Sequence, residues 1–271
     1  MSWTAIARKD FLDAARSKTL WGLLVLFVGY LGVITYLSQG QDAELLQFIE
    51  LTAAGFVLFV PLVSIILGYK AIVDERESGT IALLLSLPHT RREMVFGKLV
   101  GRSAVLAIPV LVGLLGASVV IAVLFDSFPV VEYLLFALLS VGLGVAFLGI
   151  AIGLSMSTTS NRRVTTGAFG AYVALGVLWK NLIDAILLLL WRFDSEPLSD
   201  PPEWAVLVQL ASPMESFERV TAALFDIDIA SAYTGAGAPW VADAWVAVLL
   251  LVGWIVLPLA VGYARFSRVD L

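Results

Sequence analysis

The sequence predicts an all-α polytopic membrane protein with six transmembrane helices and both termini in the cytoplasm. Three observations predict it. Of 271 residues, 60% are hydrophobic and 14% charged, against roughly 25% charged in an average soluble domain. The mean hydropathy is +0.94, more apolar surface than one soluble core of this size can hide. Six stretches between charged residues also approach or exceed the roughly 20 apolar residues that a membrane helix needs.

The same composition excludes several function classes. A net charge of −5 argues against a nucleic-acid partner. There is no cysteine, so there are no disulfides, thiolate nucleophiles or cysteine-based metal sites. One histidine cannot build a multi-histidine metal site. No catalytic, cofactor-binding or metal-ligating set is therefore expected. The N-terminus is too charged, and its first apolar run too long, for a cleavable signal peptide.

Residues 1–18 read as an interfacial helix. On a helical wheel Trp3, Ile6, Ala7, Phe11 and Ala14 share one face, and Arg8, Lys9, Asp13 and Arg16 the other. Asp10 and Leu12 break the pattern. Basic residues on the polar face suit anionic headgroups, and a plain positively charged anchor is the simpler alternative. Spans are then expected at 20–40, 50–70, 102–125, 131–156, 164–182 and 242–264. The fifth is short because Lys180 interrupts it. Arg163 to Lys180 covers roughly 25 Å at 1.5 Å per residue, which puts Lys180 near the far interface, where its ammonium can snorkel to water. The run from Leu182 to Trp191, broken by Asp184, is too short to cross again and reads as a helix extension or a re-entrant or interfacial segment.

Orientation follows from the basic residues. With the N-terminus inside, 14 of the 17 lysines and arginines face the cytoplasm, and 14 of the 22 acids lie outside. Arginine also outnumbers lysine. An acid-rich, lysine-poor outer surface suits very salty water, so a multi-pass cell-membrane protein of a halophilic prokaryote is expected.

The loop between spans two and three, 74–93, is the richest stretch. Its first part is mostly charged, Gly79 breaks the chain, and Thr80 to Leu87 is an apolar run too short to cross a bilayer. Thr90-Arg91-Arg92-Glu93 has the form of a capping box that starts a fresh helix leading into span three. A short cytoplasmic helix held between two turns and rimmed by charge suits docking to a partner protein; packing against its own bundle is the alternative. The outer region, 183–240, is long enough to carry structure of its own. Pro201-Pro202 can open one helix. Ser212, Pro213 and Glu215 at N-cap, N1 and N3 make a strong second start, and this helix is expected on the outer membrane surface or capping the bundle. Gly149-x-x-x-Gly153 and Gly167-x-x-x-Ala171 can bring helices close, and Gly97-x-x-x-Gly101 sits at the foot of span three. Pro61, Pro109 and Pro258 are candidate kinks.

Glu75-Arg76-Glu77-x-Gly79-Thr80, Leu84-Leu85, Pro88-x-x-Arg91-x-Glu93 and Gly97-Lys98 together resemble the signature of the ABC transporter type-2 permeases. The opening Ala7-Arg8-Lys9-Asp10-Phe11 is also similar to theirs, although Glu is commoner where Asp10 stands. Ala211 to Phe217 resembles an outer stretch of the branch related to nitrous-oxide-reductase maturation permeases, with Ser212 in place of the usual Asn. The resemblance implies that the short cytoplasmic helix is a coupling helix fitting a groove on a separate nucleotide-binding ATPase. Glu75, Glu77, Gly79, Thr80, Leu84, Leu85, Pro88, Arg91 and Glu93 would form the coupling site, and Arg162 and Arg163 a second-loop contact. It also implies an exporter-like permease, working as a homodimer or with a paralogue, with ATP and Mg²⁺ held on the partner. The chain has no GxxxxGK[ST] with which to cradle ATP itself and is not expected to be an enzyme. The rival reading is an ion-gradient-driven transporter or channel, for which the pair Lys180 and Asp184, one helical turn apart, is the best support. A non-transporting membrane scaffold is a third.

Overall fold

A computed structural model describes residues 3–16, 18–38, 45–78, 90–124, 128–199, 201–227 and 239–268. Every regular element among them is helical. In chain order they are α1 (Trp3–Arg16), α2 (Lys18–Leu37), α3 (Leu45–Gly68), α4 (Val73–Glu77), α5 (Arg91–Leu124), α6 (Val130–Ser157), α7 (Asn161–Tyr172), a π-turn (Val173–Val177), α8 (Trp179–Leu190), α9 (Glu196–Ser199), α10 (Glu203–Leu210), α11 (Pro213–Phe225), a 3₁₀ turn (Trp240–Ala242) and α12 (Ala244–Ser267). Five helices among the described residues are long and apolar enough to cross a membrane, and α7 with α8 makes a sixth when the bent pair is counted as one span.

Burial orders the bundle. In α6, 72% of the most apolar window is buried, against 22% in α2 and 17% in α12. The central helix is therefore α6, and the outer faces of α2 and α12 carry the exposed apolar side chains Val25, Tyr36, Leu249 and Leu257 that lipid must cover. The most extensive interface joins α6 to α12. Gly149 and Gly153 make it possible: a Cβ on Gly149 would stand 2.9 Å from the Ile255 carbonyl oxygen, and one on Gly153 would collide with Pro258. Small residues are how membrane helices approach closely when lipid offers no hydrophobic drive.

The 34 residues of α5 span about 51 Å, well beyond the ~30 Å hydrocarbon core. Its first turns hold all of its charged residues, from Arg91 to Arg102, as a polar post at the head of an apolar rod. The capping box that opens it is formed as the sequence predicts: Glu93 accepts from the Thr90 N–H at 2.9 Å, and the Glu93 N–H donates to Thr90 Oγ1 at 3.2 Å.

Three findings refine the sequence reading. The break in the fifth span is a 59° bend between residues 161–177 and 179–190. It falls at Leu178, directly after the π-turn, whereas Pro61, Pro109 and Pro258 all lie inside continuous helices. The helix α11 packs into the bundle: Phe217 is fully buried and its ring sits 5.9 Å from that of Phe136, which in turn stacks on Phe56 at 6.1 Å. Finally, Gly167 does not mediate a tight crossing. A Cβ there would meet only Leu154, at 3.8 Å, because α7 stands away from α12 and leaves a groove between them.

The start of α11 follows its sequence signal closely. Ser212 Oγ accepts from the Met214 N–H at 3.2 Å and donates to the Leu175 carbonyl at 2.7 Å, tying the cap to the π-turn. Trp254 Nε1 donates to the Ala211 carbonyl at 2.6 Å, which ties the same corner to α12.

Candidate functional site

The basic end of the bundle gathers charged side chains from several helices into one connected site. Its foundation is the contact of α1 with α5. A Cβ on Gly97 would stand 2.8 Å from both Ile6 Cβ and the Trp3 carbonyl oxygen, and one on Gly101 2.9 Å from the Ala7 carbonyl oxygen. Only glycines let the amphipathic helix lie this close against the post. Trp3 closes the contact edge-on against Phe96, 4.9 Å between ring centroids.

That approach explains Asp10. It breaks the apolar face of α1 because it points into the protein, where Arg102 Nε stands 2.7 Å and Lys98 Nζ 3.9 Å from its carboxylate. Lys98 is buried, its side chain 7% exposed, and its main partner is Glu75 at 2.7 Å. Arg102 also donates to the Leu67 carbonyl at 2.9 Å, satisfying an orphan acceptor in the last turn of α3 where the helix dipole favours a cation. Four charges from three helices thus neutralise one another. A charged cleft of about 500 Å³ opens beside them, with Asp13, Lys70 and Asp74 on its walls.

The short helix α4 is fixed from the other side. Ser155 Oγ, fully buried on α6, accepts from the N–H groups of Ile72 and Val73 at 3.1 and 3.0 Å. It satisfies two of the amides that a helix start leaves unpaired. Arg76 donates to the Thr158 carbonyl at 3.3 Å and lays its guanidinium 4.7 Å from the centre of the buried Phe266 ring. Glu77 accepts from the Asn161 backbone N–H at 3.0 Å and from its side-chain amide. On the far stem of the loop, Arg91 donates to the Phe266 carbonyl at 2.6 Å and shares the same ring at 5.2 Å.

The flanking residues expected at the coupling site are therefore brought together, and each contacts its own chain. Glu75 holds Lys98, Glu77 holds α7, Arg91 holds α12, and Glu93 closes the capping box. The central residues Gly79, Thr80, Leu84, Leu85 and Pro88 lie outside the described residues. Arg162 and Arg163 are exposed at the start of α7. Lys180 and Asp184 stand one turn apart on α8, and Asp184 Oδ1 accepts from Gln209 of α10 at 3.4 Å. Asp10, Lys98, Arg102, Ser155 and Phe266 are the site residues that sequence reasoning did not assign. Among the described residues no group of three or more His, Asp or Glu side chains could hold a metal ion.

The family model for ABC-2 family transporter proteins matches residues 4–271. The chain belongs to the ABC-2 transporter family. It is 30% identical over 275 residues to a probable ABC transporter permease protein, NosY, of Stutzerimonas stutzeri, covering 97% of each chain. It is 29% identical over 286 residues to the protein of the same name from Pseudomonas aeruginosa, covering 98% of each. An ABC-2 chain with several membrane-spanning helices is a membrane subunit of an ABC transporter.

Proposed function

We propose that the chain is the permease subunit of an exporter-like ABC transporter, oriented with both termini in the cytoplasm and driven by ATP hydrolysis on a separate nucleotide-binding subunit. The observation that carries this reading is the clamping of both stems of the loop 79–89. Ser78 follows α4, which is held by Ser155, Lys98, Thr158 and Asn161. Thr90 opens α5, whose Arg91 ties it to Phe266 of α12. A partner that engages the loop and moves it pulls at once on α5, α6, α7 and α12, the helices that would line a path through the membrane. The flanking acids and arginines transmit that motion, and the apolar run Thr80 to Leu87 makes the contact. Two copies of the chain, or one copy and a paralogous permease, would surround the cargo path.

The acid-rich outer face supports a cell-membrane protein of a high-salt organism. The ion-gradient alternative rests on Lys180 and Asp184. The contact from Asp184 to Gln209 supports a packing role for that carboxylate between α8 and α10, so the ATP-driven reading is favoured.

The test is copurification of the tagged chain with an ATP-binding cassette protein from the same cell. The wild-type chain retains the ATPase, and Gly79→Pro or Glu77→Arg abolishes retention while the permease still inserts. Unchanged retention in both variants overturns the assignment.

A further inference from the structure

The groove left by α7 and α12 is itself shaped for a ligand. Its floor is α6, where Gly153 and Leu154 face it; one wall is α7 and the π-turn, from Gly167 and Ala171 to Leu175; the other is α12, from Trp254 through Pro258 and Val261 to Arg265. The cavity measures about 320 Å³ and is apolar apart from its basic end. At the opposite end it is closed, because the Ala211-Ser212 corner is bonded to both walls, through Trp254 at 2.6 Å and through Leu175 at 2.7 Å.

Its length is informative. Trp254 to Arg265 covers about 16 Å of helix, and one leaflet of the ~30 Å hydrocarbon core is about 15 Å deep. The open end carries positive charge from both walls. Arg265 lies at the mouth on α12, and exposed Arg163 stands one turn below Gly167 on the same face of α7. Among the described residues no carboxylate lines this groove.

We propose that this groove is a lipid site that seats one acyl chain of an anionic phospholipid from the leaflet at the basic end, with its phosphate between Arg265 and Arg163. Guanidinium groups suit phosphate because their planar fork bonds it at two points. The leaflet is the inner one on the orientation proposed above, but the site itself depends only on the groove and its arginines. It also gives Arg163 a role distinct from contact with an ATPase.

The chain has no cysteine, so Val261→Cys on the groove rim carries a single fluorescent label. The full-length protein is reconstituted in phosphatidylcholine vesicles containing either chain-brominated phosphatidylglycerol or chain-brominated phosphatidylcholine in both leaflets. Brominated phosphatidylglycerol is expected to quench severalfold more effectively at equal mole fraction. Arg163→Gln with Arg265→Gln should make the two lipids equal, and Ala171→Phe, which fills the groove, should weaken both. Equal quenching in the parent, or a preference that survives the double substitution, overturns the proposal. So does absence of quenching by either lipid together with disulfide pairing of unlabelled Val261→Cys chains, which would place a second copy over the groove. ATPase retention is not read in this experiment, so its outcome is independent of the permease assignment.

Discussion

Lys98 is the residue on which the basic end turns. It is buried at the foot of α5 between carboxylates from α1 and α4, and removing one member of a buried ion pair costs about 3–5 kcal/mol because the others are left uncompensated. Lys98→Met is expected to lower the unfolding midpoint in detergent by an amount in that range, and Lys98→Arg much less. Ser155→Ala is a different case. Two amide N–H groups lose their acceptor, at about 1–3 kcal/mol, but the loop 79–89 keeps its own surface. ATPase retention should therefore survive while stimulated ATP turnover falls, a split that a measurement of both quantities on one preparation reads directly. Much of this site was visible in the sequence as anomaly without explanation. Asp10 stood out on an apolar face, yet its partners are far along the chain and no local pattern joins them. Ser155 carried no signal, because a serine within an apolar span reads as an ordinary packing residue until the backbone it caps is known.

At the scale of elements, local chemistry was legible and relative placement was not. The capping box at Thr90 and the Ser-Pro-x-Glu start at Ser212 fix helix beginnings through contacts two or three residues apart, and both helices start where expected. The Gly149 and Gly153 pair marks a close crossing, and α12 fills it. The motif at Gly167 has the same spacing and lines an open groove, because the spacing states only that a neighbour could approach. The sharp bend at residue 178 has no proline to announce it. Gly97-x-x-x-Gly101 was the same kind of signal, and the structure shows α1 to be its occupant. Gly97→Val is accordingly expected to displace α1 from α5, with a cost of about 1–3 kcal/mol for overpacking. A cysteine at Ile6, shielded from a water-soluble maleimide in the parent, should become reactive in the variant; equal reactivity in both would show that α1 is not seated by this contact.

At the scale of the whole molecule, the charge asymmetry joins orientation, environment and partner. The high-salt reading proposed for the acid-rich end predicts that the purified protein unfolds at higher temperature in molar salt than in dilute buffer, and equal midpoints would remove that reading. The basic end contributes differently, since Arg76, Arg91, Lys98 and Arg102 with Asp10, Glu75 and Glu77 hold α1, α4, α5, α7 and α12 together around one loop. That arrangement makes sense if the loop is pushed from outside the chain. The absence of cysteine allows the most direct test. Leu84→Cys, at the centre of the loop, should cross-link to the copurified ATP-binding subunit through a short bifunctional reagent, and Trp240→Cys at the outer end should not. Cross-linking that fails at Leu84 while the ATPase remains bound would place the contact elsewhere and contradict the coupling role of this loop.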